Sequence, residues 1–300
     1  MPIAAGTTVS ASASAPALVL RPGTPVLHRA AGVLQVGLDP PRASVPDDPA
    51  VRRLLSALGR PTGHPADAPL SEPAATALAR LREAGLVHPA PPWPLPPGLG
   101  PLLAQFGPDA VRRHEARAAA RVAVHAAPGP LTDLLTGLLA EAGLATTSTA
   151  DDPGAGAVHL VLHPGPLPRE RLDPLVRASV PHLVVAGDAT GMQVGPFVDP
   201  GRTACLRCVD AHASVTDPRR ALLLAQAAAR GAAQPAPRDP VLDRLALAWA
   251  VQDLLRYADG EEPTTWSATV DLGPHGVPVR TPWGRHPGCG CSWDGFLELP

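Results

Sequence analysis

The sequence predicts an α/β fold in two units, and three observations carry that prediction. Short apolar stretches alternate with helix-length segments, the pattern of a parallel or mixed sheet covered by helices. A proline-rich stretch at residues 89–101 (PAPPWPLPPGLGP) separates a small first unit from a larger second one. Four cysteines fall as two tight pairs, Cys205 with Cys208 and Cys289 with Cys291, which only a folded second unit brings together.

The bulk composition bounds the rest. A chain of 300 residues is about twice an ordinary domain, and 45% apolar residues suffice for real cores. The net charge of −2 supplies no field for nucleic acid or an anionic membrane. No apolar run reaches the ~18 residues that span a bilayer. Residues 1–17 are small and polar and lack the basic start and apolar stretch of a signal peptide; they are expected to be a disordered tail. The expected location is cytoplasmic, where thiols stay reduced. Lysine and asparagine are absent, so no mechanism can draw either from this chain.

Residues 18–90 read as a small unit with the order of a winged helix-turn-helix. Residues 25–30 and 33–38 form a hairpin about Ala31-Gly32. Asp47 or Asp48 caps a helix ending at Leu58, with Pro49 in its first turn and Gly59 past its end. Ser71 caps a second helix that Gly85 stops, with Ala74, Leu78 and Leu81 on one stripe. Residues 86–88 close the unit as a strand or wing.

After the linker at 91–101, the second unit runs from 102 to 300. It opens with a helix at 102–120 that carries arginines on its polar side. Strands are expected at 122–125, 145–148, 158–162 and 182–186, with helices at 131–142 and near 169–178 between them. Residues 239–257 are apolar on nearly every side, which predicts a deeply buried helix. Residues 264–272 and 277–281 return as strands.

Two cysteine pairs with none left over suit one tetrahedral thiolate site for zinc, each sulfur about 2.3 Å from the ion. Gly288 and Gly290 let the chain turn tightly about the second pair. The alternatives are disulfides, which a reducing compartment disfavours, or inert buried thiols. Four sulfurs leave no open position, so the metal is read as structural, one zinc per chain. His212 and His286 are read as neighbours of the site rather than ligands.

Residues 195–209 (GPFVDPGRTACLRCV) and 286–291 (HPGCGC) resemble the two zinc-pair segments of ThiF/MoeB-like adenylyltransferases, over a span of about 121–291. More narrowly, the chain resembles a degenerate actinobacterial subfamily that binds leader peptides beside cyclodehydratases in thiazole/oxazole-modified peptide (TOMM) pathways. Residues 32–39 (GVLQVGLD) are similar to PqqD, a recognition element for ribosomally made, post-translationally modified peptides (RiPPs). The resemblance implies a Rossmann-type second unit. It also implies an ATP site built on a glycine-rich turn, a lysine, an asparagine and a magnesium-binding aspartate. Here the turn is His125-Ala126-Ala127-Pro128-Gly129-Pro130, and Leu162-His163-Pro164 stands near the aspartate position. His163 is read as a loop residue. With the cysteines committed to metal, none remains for a thioester, so no catalytic residue and no ATP are expected.

What the resemblance implies is a non-catalytic, homodimeric protein that captures a precursor leader peptide and presents it to a cyclodehydratase. The helix around Trp249 could line the dimer contact or fill the core. The peptide would add as a strand to an exposed sheet edge. The edge candidate is Val33, Leu34, Gln35, Val36 and Leu38; the groove wall is Leu78 and Leu81, with Arg80 and Arg82 exposed. Val36, Leu78 and Leu81 can equally be core. One alternative is a DNA-binding regulator, but residues 1–90 hold eight arginines against six acidic residues, too slight an excess for phosphate binding. Another is a cryptic adenylyltransferase, which the missing lysine, asparagine and glycines oppose.

Overall fold

The computed structural model describes residues 16–91, 93–147, 157–234 and 236–291. Most of the expected tail, residues 1–15, and Ser148 of the expected 145–148 strand lie outside the described residues. The chain divides into two compact units at His114/Glu115.

The first unit opens with β1 (Leu18–Leu20), β2 (Val26–Ala30), β3 (Val33–Val36) and β4 (Ala43–Pro46). Helix α1 (Pro49–Leu58) begins where the Asp48 carboxylate accepts the Ala50 N–H at 2.7 Å, which satisfies one of the free amides of the first turn. Helix α2 (Glu72–Glu83) follows Ser71, whose side chain makes no capping bond. Strand β5 (Val87–Pro89) pairs with β1, and β2, β3 and β4 form a separate antiparallel sheet. Leu34, Val36 and Val45 pack against Val51, Leu54 and Leu58 of α1 and Ala77, Leu78 and Leu81 of α2. Residues 59–71 join the two helices, a longer connection than the short turn of a helix-turn-helix.

Two expectations need correction here. Residues 33–38 are not an edge: β3 is the middle strand, because Ala43-Ser44-Val45-Pro46 forms a strand of its own and pairs with it. The helix expected at 102–120 is two, α3 (Leu99–Phe106) and α4 (Ala110–Ala119), broken by Gly107 and Pro108. Leu99, Leu102 and Leu103 pack on Ala110, so α3 belongs to the first unit, and the boundary falls inside α4 rather than at the proline-rich stretch.

The second unit continues with β6 (Arg121–His125), α5 (Pro130–Glu141), β7 (Ala145–Thr147), β8 (Val158–Pro164), α6 (Asp173–Arg177), β9 (His182–Asp188) and β10 (Gly191–Val198). Then come α7 (Leu206–Thr216), α8 (Arg220–Ala233), α9 (Pro240–Ala258), β11 (Ala268–Leu272) and β12 (Val279–Pro282). One mixed seven-stranded sheet has the order β12-β11-β10-β9-β8-β6-β7; β7, β6, β8 and β9 are parallel and the other pairings antiparallel. Leu160, Leu183, Val194 and Phe197 face α5 and α9, where Leu135, Leu139, Leu247 and Leu254 complete the main core. At Gly195 the backbone has φ +95°, and a Cβ would lie 2.5 Å from Ala268 O, so only glycine lets β10 approach β11 there. Helix α9 is not apolar on every buried side: Val241 and Leu245 are exposed, while Asp243 and Asp253 are buried. Trp249 packs against the main core and donates its indole N–H to Thr264 Oγ1 at 2.9 Å. No helix among the described residues is long and apolar enough to cross a membrane.

Candidate functional site

The chain reaches the first cysteine pair through β10 and the loop after it. Cys205 caps α7, and the Cys208 N–H bonds back to Cys205 O at 2.9 Å, so both side chains leave the first turn of one helix. The second pair comes from a turn in which the Cys289 N–H donates to His286 O. The four Sγ atoms all lie within 4.8 Å of one another, close enough to hold one metal ion between them. Separations of 3.8 Å (Cys205–Cys208), 3.6 Å (Cys205–Cys289) and 3.3 Å (Cys208–Cys291) are too long for disulfides and close to the ~3.8 Å edge of a zinc–sulfur tetrahedron.

Without a cation this cluster resists ionisation. The Cys208 and Cys291 thiols, with burial, push the Cys205 thiol far up, and burial pushes Cys289 up to about 11. A dication reverses that preference, because it binds thiolates and releases their protons. The surroundings are built to hold the loops. The His212 Nε2–H donates to Gly284 O at 2.9 Å, His286 Nδ1 accepts the Gly288 N–H at 3.1 Å, and Arg285 donates to Cys291 O at 2.9 Å. Both histidines therefore brace the turn rather than joining the sulfur cluster.

At the position of the phosphate turn, Gly129 caps α5 and Pro130, the first helical residue, has no N–H. The Thr132 and Asp133 N–H groups are taken by Gly129 O, and the Thr132 hydroxyl donates to Ala127 O at 2.7 Å. Asp133 adds a carboxylate to the first turn, where a phosphate would be repelled. His163 is a β8 residue, not a loop residue, with Nδ1–H toward Gly165 O at 3.3 Å.

The residues expected to bind peptide do not form one surface. Leu34, Gln35, Val36, Leu78 and Leu81 are buried in the core, and Val33 is half-buried. Gln35 is occupied internally: its amide donates to Gly37 O and Leu38 O, and Arg29 donates to its oxygen. Leu38, Arg80 and Arg82 are exposed. The edges of this sheet are β2 and β4, and the one beside α2 is β4. The Asp47 N–H bonds Gly32 O, so by antiparallel alternation Val45 and Ala43 point their main-chain groups at β3, while Ser44 and Pro46 point theirs outward. Helix α2 runs beside this edge, and Arg80 Nη1 lies 3.4 Å from Ser44 O. Sequence reasoning missed Ser44 and Pro46 because Ala-Ser-Val-Pro is too short to show alternation; its one signal is a proline, which sheets tolerate at edges.

No family model matches the chain, and no curated protein matches it. Solved structures share its fold. A heterocyclase in complex with substrate and cofactor superposes at TM-score 0.68 and 17% identity, over 93% of this chain and 40% of the heterocyclase. The heterocyclase TruD matches at TM-score 0.66 and 18% identity, over 92% of this chain and 43% of TruD. MccB of E. coli, solved with MccA, matches at TM-score 0.58 and 13% identity, over 92% of this chain and 99% of MccB. This chain thus spans about two-fifths of the heterocyclases' length and nearly all of MccB.

Proposed function

We propose that this chain is a non-catalytic, zinc-stabilised protein of RiPP maturation that binds a precursor leader peptide and presents it to a partner cyclodehydratase, acting as a homodimer. The observation that carries the peptide reading is the outward row of β4. Ser44 N–H, Ser44 O and Pro46 O lie on a sheet edge beside α2, where an extended peptide can take main-chain bonds and set side chains against the helix. The fold likeness to heterocyclases and to MccB supports the setting.

Zinc is the ion the donor set favours, since four thiolates select soft or borderline cations and close the coordination sphere. When bound, it clamps α7 to the C-terminal turn through four sulfurs. The non-catalytic reading rests on the α5 turn, where Pro130 has no N–H and the Thr132 and Asp133 amides are already bonded, and on the absence of lysine from the whole chain.

The test is titration of the full chain with a synthetic leader of a precursor encoded beside its gene. Micromolar or tighter binding is expected, lost in Ser44→Pro with the melting temperature unchanged. That substitution removes the outward N–H without touching the β3 ladder. No binding to any neighbouring precursor, with specific binding to promoter DNA, would establish the regulator instead.

A further inference from the structure

The four cysteines are not equally placed. Cys205, Cys208 and Cys289 are buried, whereas Cys291 is half-buried. A cavity of about 310 Å³ reaches the cluster. Cys205, Cys289 and Cys291 stand on its wall, and Cys208 does not. Arg177, Arg207 and Gly290 also line it and are exposed, so the cavity meets solvent. A water molecule occupies ~30 Å³, so a small oxidant has ample room. Cys291 is the cysteine that such a reagent meets first.

Cys208 stands behind it, with 0% of its surface exposed and its Sγ 3.3 Å from Cys291 Sγ. The two sulfurs have different supports. Cys208 leaves the first turn of α7, and Cys291 ends the turn that Arg285 braces. A small shift of that turn closes the pair to bonding distance. Metal ligation keeps the sulfurs as thiolates, the form that attacks an oxidant.

We infer that Cys291 is a modification site, oxidised by hydrogen peroxide, with Cys208 as its resolving partner. The inference rests on the reading of the cluster as a metal site. The Cys291 thiolate attacks one peroxide oxygen: an S–O bond forms, the O–O bond breaks, and hydroxide leaves a sulfenic acid behind. The Cys208 thiolate then attacks that sulfur: an S–S bond forms, the S–O bond breaks, and a second hydroxide departs. Two electrons pass from the sulfurs to the peroxide. Two of the four thiolate ligands are thereby consumed, so the metal is lost and α7 is released from the C-terminal turn. A small thiol reverses the oxidation by exchange.

The test treats the zinc-loaded full chain with hydrogen peroxide and follows a chromogenic zinc indicator. One zinc should appear per disulfide formed, peptide mapping should find Cys208 joined to Cys291, and dimedone should trap the sulfenic acid at Cys291. Cys291→His keeps four ligands, a set that zinc accepts, and should release metal several-fold more slowly. Cys289→His also keeps four ligands but leaves Cys291 in place, and should release it at the wild-type rate. Elemental analysis comes first: a chain that takes up no metal ends both readings. A chain that holds zinc and keeps it under peroxide ends only this one. Dimedone on Cys205 or Cys289 instead of Cys291, or equal release from Cys291→His, would also overturn it. If Cys291→His holds no zinc, the dimedone position in the wild type decides.

Discussion

Asp253 of α9 and Thr265, just before β11, are joined by two buried hydrogen bonds: one carboxylate oxygen accepts the Thr265 N–H at 2.9 Å and its hydroxyl at 2.5 Å. The other oxygen takes the N–H and hydroxyl of Thr264. Both Asp253 and Thr265 are fully buried, so no water can replace these bonds. Asp253→Ala leaves four donors without an acceptor and should cost about 3 kcal/mol or more. Asp271→Ala, at an exposed carboxylate bonded only to Gln193, should stay within about 0.5 kcal/mol. Denaturant unfolding reads both; equal effects would show that the Asp253 network is not a stabilising latch.

Metal removal gives the second prediction. Purified protein should carry about one zinc per chain, and Cys205→Ser or Cys289→Ser should lower the melting temperature sharply, because binding to the fold alone stabilises it. Chelation should do the same to the wild type. Metal-free protein that melts unchanged would remove the clamp from the account.

ATP is the third. Calorimetric titration should give no heat of binding, and pyrophosphate exchange should be absent, since Pro130 offers no N–H and Asp133 opposes a phosphate. Micromolar affinity would reverse the non-catalytic reading.

The sequence made some of this legible and hid the rest for physical reasons. The cysteine spacing picked out the four residues that the fold brings together, because each close pair is set by a few residues of local chain. Asp48, Pro49 and Gly59 marked α1 correctly, since caps act locally. Strand β4 was hidden, as its one fully buried residue, Val45, carries no period, and its neglect turned the middle strand β3 into an apparent edge. Helix α9 read as buried all round because apolar residues stand on nearly every side of it, whereas tertiary partners decide which side is covered: Val241 and Leu245 are exposed, while Thr264 and Thr265 hold buried Asp253 and Arg238 holds buried Asp243. Helix α8 went unread, being alanine-rich and almost wholly exposed.

Acid should destabilise the fold through His182. Its Nδ1–H donates to Val180 O at 2.8 Å, and burial pushes its pKa down to about 4. The unfolded chain takes up the proton below about 6.5, whereas the folded chain refuses it until about 4. The contribution is therefore full above pH 6.5 and lost as the pH falls toward 4, by about 3 kcal/mol in all. Burial lowers His159 and His125 as well, in the same direction. Melting temperature should fall between pH 7 and 5, less steeply in His182→Gln, with a zinc indicator confirming that metal is retained over that range. An identical pH slope in the variant would assign the acid sensitivity elsewhere.

The last prediction concerns Arg80. Its guanidinium rests on Ser44 O at 3.4 Å, a long contact at an exposed site, so it holds little energy of its own. An incoming strand that pairs at Ser44 takes that same carbonyl, because Ser44 supplies the only outward N–H of β4 and Pro46 adds only an acceptor. Displacing Arg80 frees a cation beside the bound strand, where an acidic peptide side chain can pair with it. Arg80→Ala should therefore leave binding intact in kind but weaken an acidic leader several-fold, and should flatten the dependence of affinity on salt. Ser44→Pro, in contrast, should abolish binding at any salt. Unchanged affinity in Ser44→Pro together with full loss in Arg80→Ala would mean that the peptide is held by side chains on α2 and not by the β4 edge.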